Sequence, residues 1–254
     1  MTSAAVAWRW NDVDATTTTD GTRLSHRRAD AQLFVSNGRL HGGGGYSSAQ
    51  PQTRRDLARV GAIVRLREQG RYLVHAAGVV DPVGRGWLLS GNSGAGKSTL
   101  AYALSRAGWA ILGDDGVLIQ VDDAGMTAHQ WKDPLNVSSH LASEFPELRG
   151  HMARARAGDW RQRIPMDAAP ARMAPVAGLI MVERSDEHSV ERLGPLEALG
   201  ALVRQSPLVM IDDAYSRAHL DALRRAVMVP CFRLRHTPVE LHTVARVIGG
   251  MLDA

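Results

Sequence analysis

One stretch constrains the fold more than any other: "WLLSGNSGAGKSTLAYALSRAGWAILGDDGVLI", Trp87 to Ile119. Within it "GNSGAGKST" fits G-x-x-x-x-G-K-[ST], with Gly91, Gly96, Lys97 and Ser98 at the fixed positions. The surroundings read as a strand (Trp87 to Ser90), a glycine-rich loop (Gly91 to Gly96) and a helix (Lys97 to Arg106). A Gly108 stop and a second strand (Trp109 to Leu112) follow. Ala101, Leu104 and Ala107 give the helix an apolar face. The glycines let successive backbone N–H groups turn inward, and the helix N-terminus adds positive potential for phosphates. Lys97 is placed to reach β- and γ-phosphates, and the Ser98 hydroxyl suits magnesium. The alternative, a glycine turn before an ordinary core helix, is outweighed by the full motif lying between a strand and a helix. The expected nucleotide contacts are Gly91, Asn92, Ser93, Gly94, Ala95, Gly96, Lys97, Ser98 and Thr99.

Asp114-Asp115 follows directly on the second strand, at its C-terminal end. In open α/β sheets ligands sit at that edge, so both carboxylates are expected near the phosphates. Phosphoryl transfer needs one carboxylate near magnesium and another near the acceptor hydroxyl. On these residues alone, a turn or a magnesium site without a base explains the pair equally well. Asp122-Asp123, before Ala-Gly, reads as a turn. Asp212-Asp213 lies where a helix begins and reads as capping.

The remaining chain alternates helices and strands, which argues for an α/β fold. "RADAQLFVSNGRL" reads as a strand and a turn, and "HGGGGYSSAQPQ", with Gly42 to Gly45, as a mobile loop. "TRRDLARVGAIVRLREQG" reads as a short helix or strand before a strand near Tyr72 to Val80. A buried strand is expected at Val176 to Val182, helices after Pro195 and from Tyr215 to Val227, and a strand in "PCFRLRHT". Thr237, Pro238 and Glu240 form a capping box for a last helix. The expected division is 1–70, an N-terminal extension or small subdomain, and 71–254, the phosphate-loop domain.

Composition excludes other classes. The hydrophobic content of 44% in 254 residues suffices for a full core. The lone Cys231 rules out an internal disulfide framework and fits a reducing compartment. The first residues lack the basic start and apolar core of a secretory signal, and "VAGLIMV" is far too short to span a bilayer. A cytoplasmic protein without membrane attachment is expected. The net charge of +4 suits an anionic partner, but scattered arginines, three Phe and four Tyr argue against nucleic acid.

The unit "VHAAGVV…GWLLSGNSGAGKSTLAYALSRAGWAILGDDGVLI" resembles the nucleotide-binding core of the HPr serine kinase/phosphorylase family. That family has a histidine-bearing strand, the short loop, and an Asp-Asp pair one strand later. The resemblance covers roughly His75 to Ile119 and implies a mixed-sheet, HPr-kinase-like fold. It also implies ATP and magnesium (Mg2+) as cofactors, and transfer of phosphate to a serine hydroxyl of a protein or peptide. By the same resemblance, Asp115 is the general base, Asp114 supports the metal, and His75 is the active-site histidine. Asn92 stands where the family has Asp, and Thr99-Leu100 where it favours an acidic residue. Glu147-Leu148-Arg149-Gly150 echoes a family segment and makes Glu147 a candidate metal ligand. The chain resembles most the short kinases attached to ribosomal-peptide pathways, lasso-type precursors among them. A small-molecule kinase, or a nucleotide-gated ATPase or binding module without an acceptor, is the alternative.

Other residues are open to site roles. Lys132, Arg161 and Arg163 suit phosphate contacts but read equally as a solvated basic face. His129, His140 and His151 have no recognised metal spacing, so no structural zinc is expected. A homo-oligomer is compatible with the sequence.

Overall fold

A computed structural model describes residues 8–131, 135–138, 145–152, 161–164, 172–211, 214–237 and 248. The chain divides into two compact units, Met1–Leu73 with Leu208–Asp221 and Val74–Pro207 with Ala222–Ala254.

In the first unit the polar N-terminal stretch folds as an antiparallel meander. Its strands are β1 (Trp8–Trp10), β2 (Val13–Thr18), β3 (Gly21–His26), β4 (Gln32–Ser36) and β5 (Arg39–Gly43), paired in that order. Period-two alternation puts Val13, Ala15, Leu24, Leu33 and Val35 on one buried face, while threonine and charge occupy the other. Helix α1 (Pro51–Glu68) contributes Leu57, Val60 and Val64 to that core. It starts on Pro51, whose missing N–H needs no partner at a helix start. At Gly61 a side chain would meet Leu33 Cδ2 at 2.6 Å, so helix and sheet approach closely there. Two expectations are corrected. The segment read as a short helix or strand is an 18-residue helix. Gly42 and Gly43, read as mobile loop, pair with Leu33 and Gln32 in β5. Gly45 has φ +64°, and a Cβ there would lie 1.8 Å from the Asp30 carbonyl oxygen. Gly45 thus serves a close backbone approach. The strand expected at Tyr72 to Val80 is split by a bend at His75 into β6 (Arg71–Val74) and β7 (Ala76–Val80).

The second unit continues with β8 (Gly86–Ser90), α2 (Lys97–Arg106), β9 (Ala110–Gly113), β10 (Val117–Asp122) and β11 (Gly125–His129). Next come β12 (Leu135–Ser138), a 3-10 turn (Pro146–Leu148), α3 (Arg149–Met152) and β13 (Arg161–Ile164). The chain then runs through β14 (Met173–Arg184), β15 (Ser189–Arg192), α4 (Pro195–Arg204), α5 (Ser216–Ala226) and β16 (Cys231–His236). The mixed sheet has the order β10-β11-β14-β8-β7-β9, with β16 beside β14 and β15 outside β16. β12 and β13 form a separate antiparallel ribbon.

Strand direction decides where function can gather. β8 and β16 both run parallel to β14. β7 is antiparallel to β8, and β9 is antiparallel to β7. The C-terminal ends of β8, β9, β14 and β16 therefore share one edge with the start of β7. That is the edge where α/β sheets place their ligands. Leu100, Ala101, Ala103 and Leu104 of α2 join Ala77, Val79, Trp87 and Leu89 from β7 and β8 in one core. Leu100 and Leu104 are fully buried, each stabilising by about 2 kcal/mol through area removed from water.

The β7–β8 hairpin is fixed by Asp81. Its Oδ1 accepts from the backbone N–H groups of Val83 (3.1 Å) and Arg85 (2.8 Å). Its Oδ2 accepts from Arg85 Nε (2.6 Å) and Trp87 Nε1 (3.2 Å). The expected helix from Thr237 and the pair Asp212-Asp213 fall at or beyond the limits of the described residues, as do Lys132 and His140.

Candidate nucleotide site

Strand β8 ends at Ser90 and the chain turns through Gly91 to Gly96 into α2. The turn uses left-handed or otherwise positive φ at Gly91 (+151°), Gly94 (+82°) and Gly96 (+100°). Only glycine takes such angles at low cost. A Cβ at Gly91 would stand 2.3 Å from the Val182 carbonyl oxygen, so the loop lies directly on the end of β14. Nothing lies within 4 Å of the Cβ position at Gly94. Asn92 and Ser93 are exposed, Ala95 is buried, and Thr99 is buried on α2.

Lys97 is 6% exposed, and its ammonium donates back to the Gly91 (2.8 Å) and Asn92 (3.0 Å) carbonyl oxygens. The charge is thereby held over the mouth of the loop. Ser98 Oγ donates to Asp114 Oδ1 at 2.8 Å, and Asp114 is fully buried.

The two neighbouring aspartates part company. The register between β7 and β9 shifts at Gly78/Val79, just before the Asp-Asp turn. Asp115 then adopts φ +63°, a conformation aspartate tolerates better than most residues. Asp114 stays beneath α2, while the Asp115 carboxylate, about half exposed, lies 3.4 Å from His75 Nδ1. His75 sits at the bend before β7, one residue from Ala76, which pairs with Ser90. Its backbone N–H donates to the Gln205 carbonyl oxygen at 2.7 Å.

The sheet edge thus brings together the loop, Lys97, Ser98, Asp114, Asp115 and His75. Glu147 is engaged elsewhere: it accepts from Tyr102 Oη at 2.8 Å and pairs with Arg106 at 3.0 Å. Burial works against the Glu147 charge, but the backbone and Tyr102 hydrogen bonds and Arg106 outweigh it and lower its pKa. Burial, then the Glu147 hydrogen bond, raises the pKa of Tyr102. Arg161 and Arg163 lie on β13, His151 on α3 and His129 at the end of β11. Among the described residues no cluster of three or more His, Cys, Asp or Glu side chains could hold a metal ion. No helix among them is long and apolar enough to cross a membrane.

Two residues that the sequence did not single out complete the edge. Gln205, just past α4, donates from Nε2 to Asn92 Oδ1 at 3.3 Å while its carbonyl holds His75. His236, the last residue of β16, is fully buried with Nε2 2.8 Å from the Ala95 carbonyl oxygen. Their one sequence signal is position at an element's C-terminal end. A cavity of about 550 Å³ opens beside the loop, lined by Gly91 to Ala95, the end of β14, Arg204 and Gln205. That volume is within the range of small-molecule sites.

No family model and no curated protein matches the sequence. Among solved structures the chain is similar to the Hpr(Ser) kinase/phosphatase from Coxiella burnetii, at 12% identity and a TM-score of 0.37. That match covers 72% of this chain and 99% of the other.

Proposed function

We propose that this chain is an ATP-dependent kinase that transfers the γ-phosphoryl group to a serine hydroxyl of a peptide or protein. The observation that supports it best is the division of labour between the adjacent aspartates. Asp114 is buried on the Ser98 hydroxyl, and Asp115 is exposed beside His75. A binding module needs the first arrangement, whereas a transferase also needs a second carboxylate open to an acceptor.

Hydroxyl and carboxylate oxygens are the hard donors magnesium takes, so Ser98 and Asp114 fit that ion; Glu147, held by Tyr102 and Arg106, is left out of the set. When bound, magnesium neutralises charge on the β- and γ-phosphate oxygens. The loop's inward amides and Lys97 hold the polyphosphate and offset the charge that develops during transfer. His75 orients the Asp115 carboxylate. Asp115 accepts the proton of the serine hydroxyl as its oxygen bonds to the γ-phosphorus. The bond from that phosphorus to the β–γ bridging oxygen breaks, and ADP leaves with the electron pair. An exposed base at an open sheet edge suits a flexible peptide segment better than a small enclosed substrate.

The test is incubation with ATP, magnesium and serine-bearing peptides, followed by mass spectrometry. One phosphoryl group on a serine is the expected product. Release of free phosphate at a rate indifferent to peptide contradicts the kinase reading and favours a nucleotide-gated module.

A further inference from the structure

Beneath the loop lies a buried imidazole with no part in the transfer step above. His236 is fully buried, and parallel pairing of β16 with β14 carries it to the site edge opposite Arg184. Both ring nitrogens face carbonyl oxygens, Nε2 that of Ala95 at 2.8 Å and Nδ1 that of Thr237 at 3.0 Å. The Ala95 contact is shorter, wholly buried and spans 141 residues of sequence. It ties the glycine-rich loop to a strand from the far end of the chain.

Peptide geometry gives that contact its meaning. The carbonyl of Ala95 and the N–H of Gly96 belong to one peptide unit, and the described chain has no cis peptide bonds. In a trans peptide the C=O and N–H vectors point in opposite directions. Anchoring the Ala95 oxygen on His236 therefore turns the Gly96 N–H away from the ring, to the opposite side of the loop. Gly96 is also the residue that makes room for the ring: a Cβ there would meet His236 Cε1 at 2.9 Å and Nε2 at 3.0 Å. Its φ of +100° permits the turn into α2. The glycine and the histidine are matched to one another.

We infer that His236 is a positioning residue for polyphosphate binding: by donating from Nε2 to the Ala95 carbonyl it fixes the Gly96 amide in the orientation that receives a phosphate oxygen. The inference rests on the nucleotide reading of the loop and adds to it a residue some 140 positions away. His236 acts through Ala95 and touches neither the nucleotide nor the acceptor.

The full chain and two variants, His236→Phe and His236→Asn, test this by titration calorimetry with magnesium-ATP and with inorganic tripolyphosphate. Thermal unfolding without ligand is recorded in parallel. Phenylalanine fills the space without a donor, and asparagine retains a short one. His236→Phe is expected to bind both ligands about five- to tenfold more weakly, the loss of one buried hydrogen bond. His236→Asn should recover part of the affinity. Wild-type affinity in His236→Phe overturns the inference. So does an affinity loss that tracks a fall in melting temperature in both variants, or failure of both to fold, since the role is then purely structural. If the wild type binds tripolyphosphate but not ATP, the kinase reading fails while the His236 assignment stands.

Discussion

Ser98 Oγ and Asp114 Oδ1 are hydrogen-bonded at 2.8 Å, joining the first turn of α2 to the residue that follows β9. The bond fixes the helix that follows the glycine-rich loop against the next strand end. It also leaves the neighbouring Asp115 free to face His75.

Removing either member of that pair should be read in the magnesium dependence. Ser98→Ala and Asp114→Asn are each expected to raise the magnesium concentration for half-maximal transfer by tenfold or more. Titrating magnesium at fixed ATP checks this. An unchanged midpoint in both variants contradicts the assigned metal set.

Lys97 holds its charge over the loop through the Gly91 and Asn92 carbonyls. Lys97→Met keeps the length of the stem and removes that charge. A fall in transfer rate on the order of 10²-fold is expected, the effect of losing one preorganised donor to developing charge. Steady-state kinetics at saturating ATP measure it.

The Asp81 carboxylate is a stability element, and pH exposes it. Burial raises its pKa, but hydrogen bonds from the Arg85 backbone and guanidinium and from Trp87 outweigh burial and hold it below the ordinary carboxylate value. A depressed carboxylate contributes stability above its unfolded pKa, and that contribution is lost as pH falls through the lower folded value. Asp81→Asn turns an NH₂ toward the Arg85 and Trp87 donors. A loss of about 2 kcal/mol at neutral pH is expected. The difference from wild type should shrink in acid, as denaturant titrations at a series of pH values would show.

Cys231 is buried, and burial pushes its thiol pKa up to about 11. At pH 8 almost no thiolate is present, so the folded protein should react with a thiol reagent far more slowly than the unfolded chain. Equal rates in buffer and in denaturant contradict its burial in β16.

The parts of this site carried by local sequence were legible. The helix read from Lys97 to Arg106 has those bounds, because the glycine loop and Gly108 punctuate it from both sides. The strand read at Val176 to Val182 lies inside the longer β14, whose first residues pair with β11 beyond the apolar run. In the first unit the strand and turn read in "RADAQLFVSNGRL" are β4 and the turn into β5, whereas β1 to β3 were hidden because threonine and charge on their open face disguise the alternation. His236 and Gln205 could not be found, since their partners Ala95 and Asn92 are more than a hundred residues away. Parallel pairing of β16 with β14 leaves no local mark in the sequence. Nor does the φ of +63° at Asp115, which separates two identical neighbours into two environments.

That separation is the centre of the account, and Asp115→Asn tests it most directly. Affinity for magnesium-ATP and single-turnover transfer to a serine peptide are measured on the same preparation. Nucleotide affinity should stay within about twofold of wild type, while the transfer rate falls by 10²-fold or more, the usual contribution of a positioned base. Undiminished transfer, or loss of nucleotide binding with it, would contradict the assignment of Asp115 as the base.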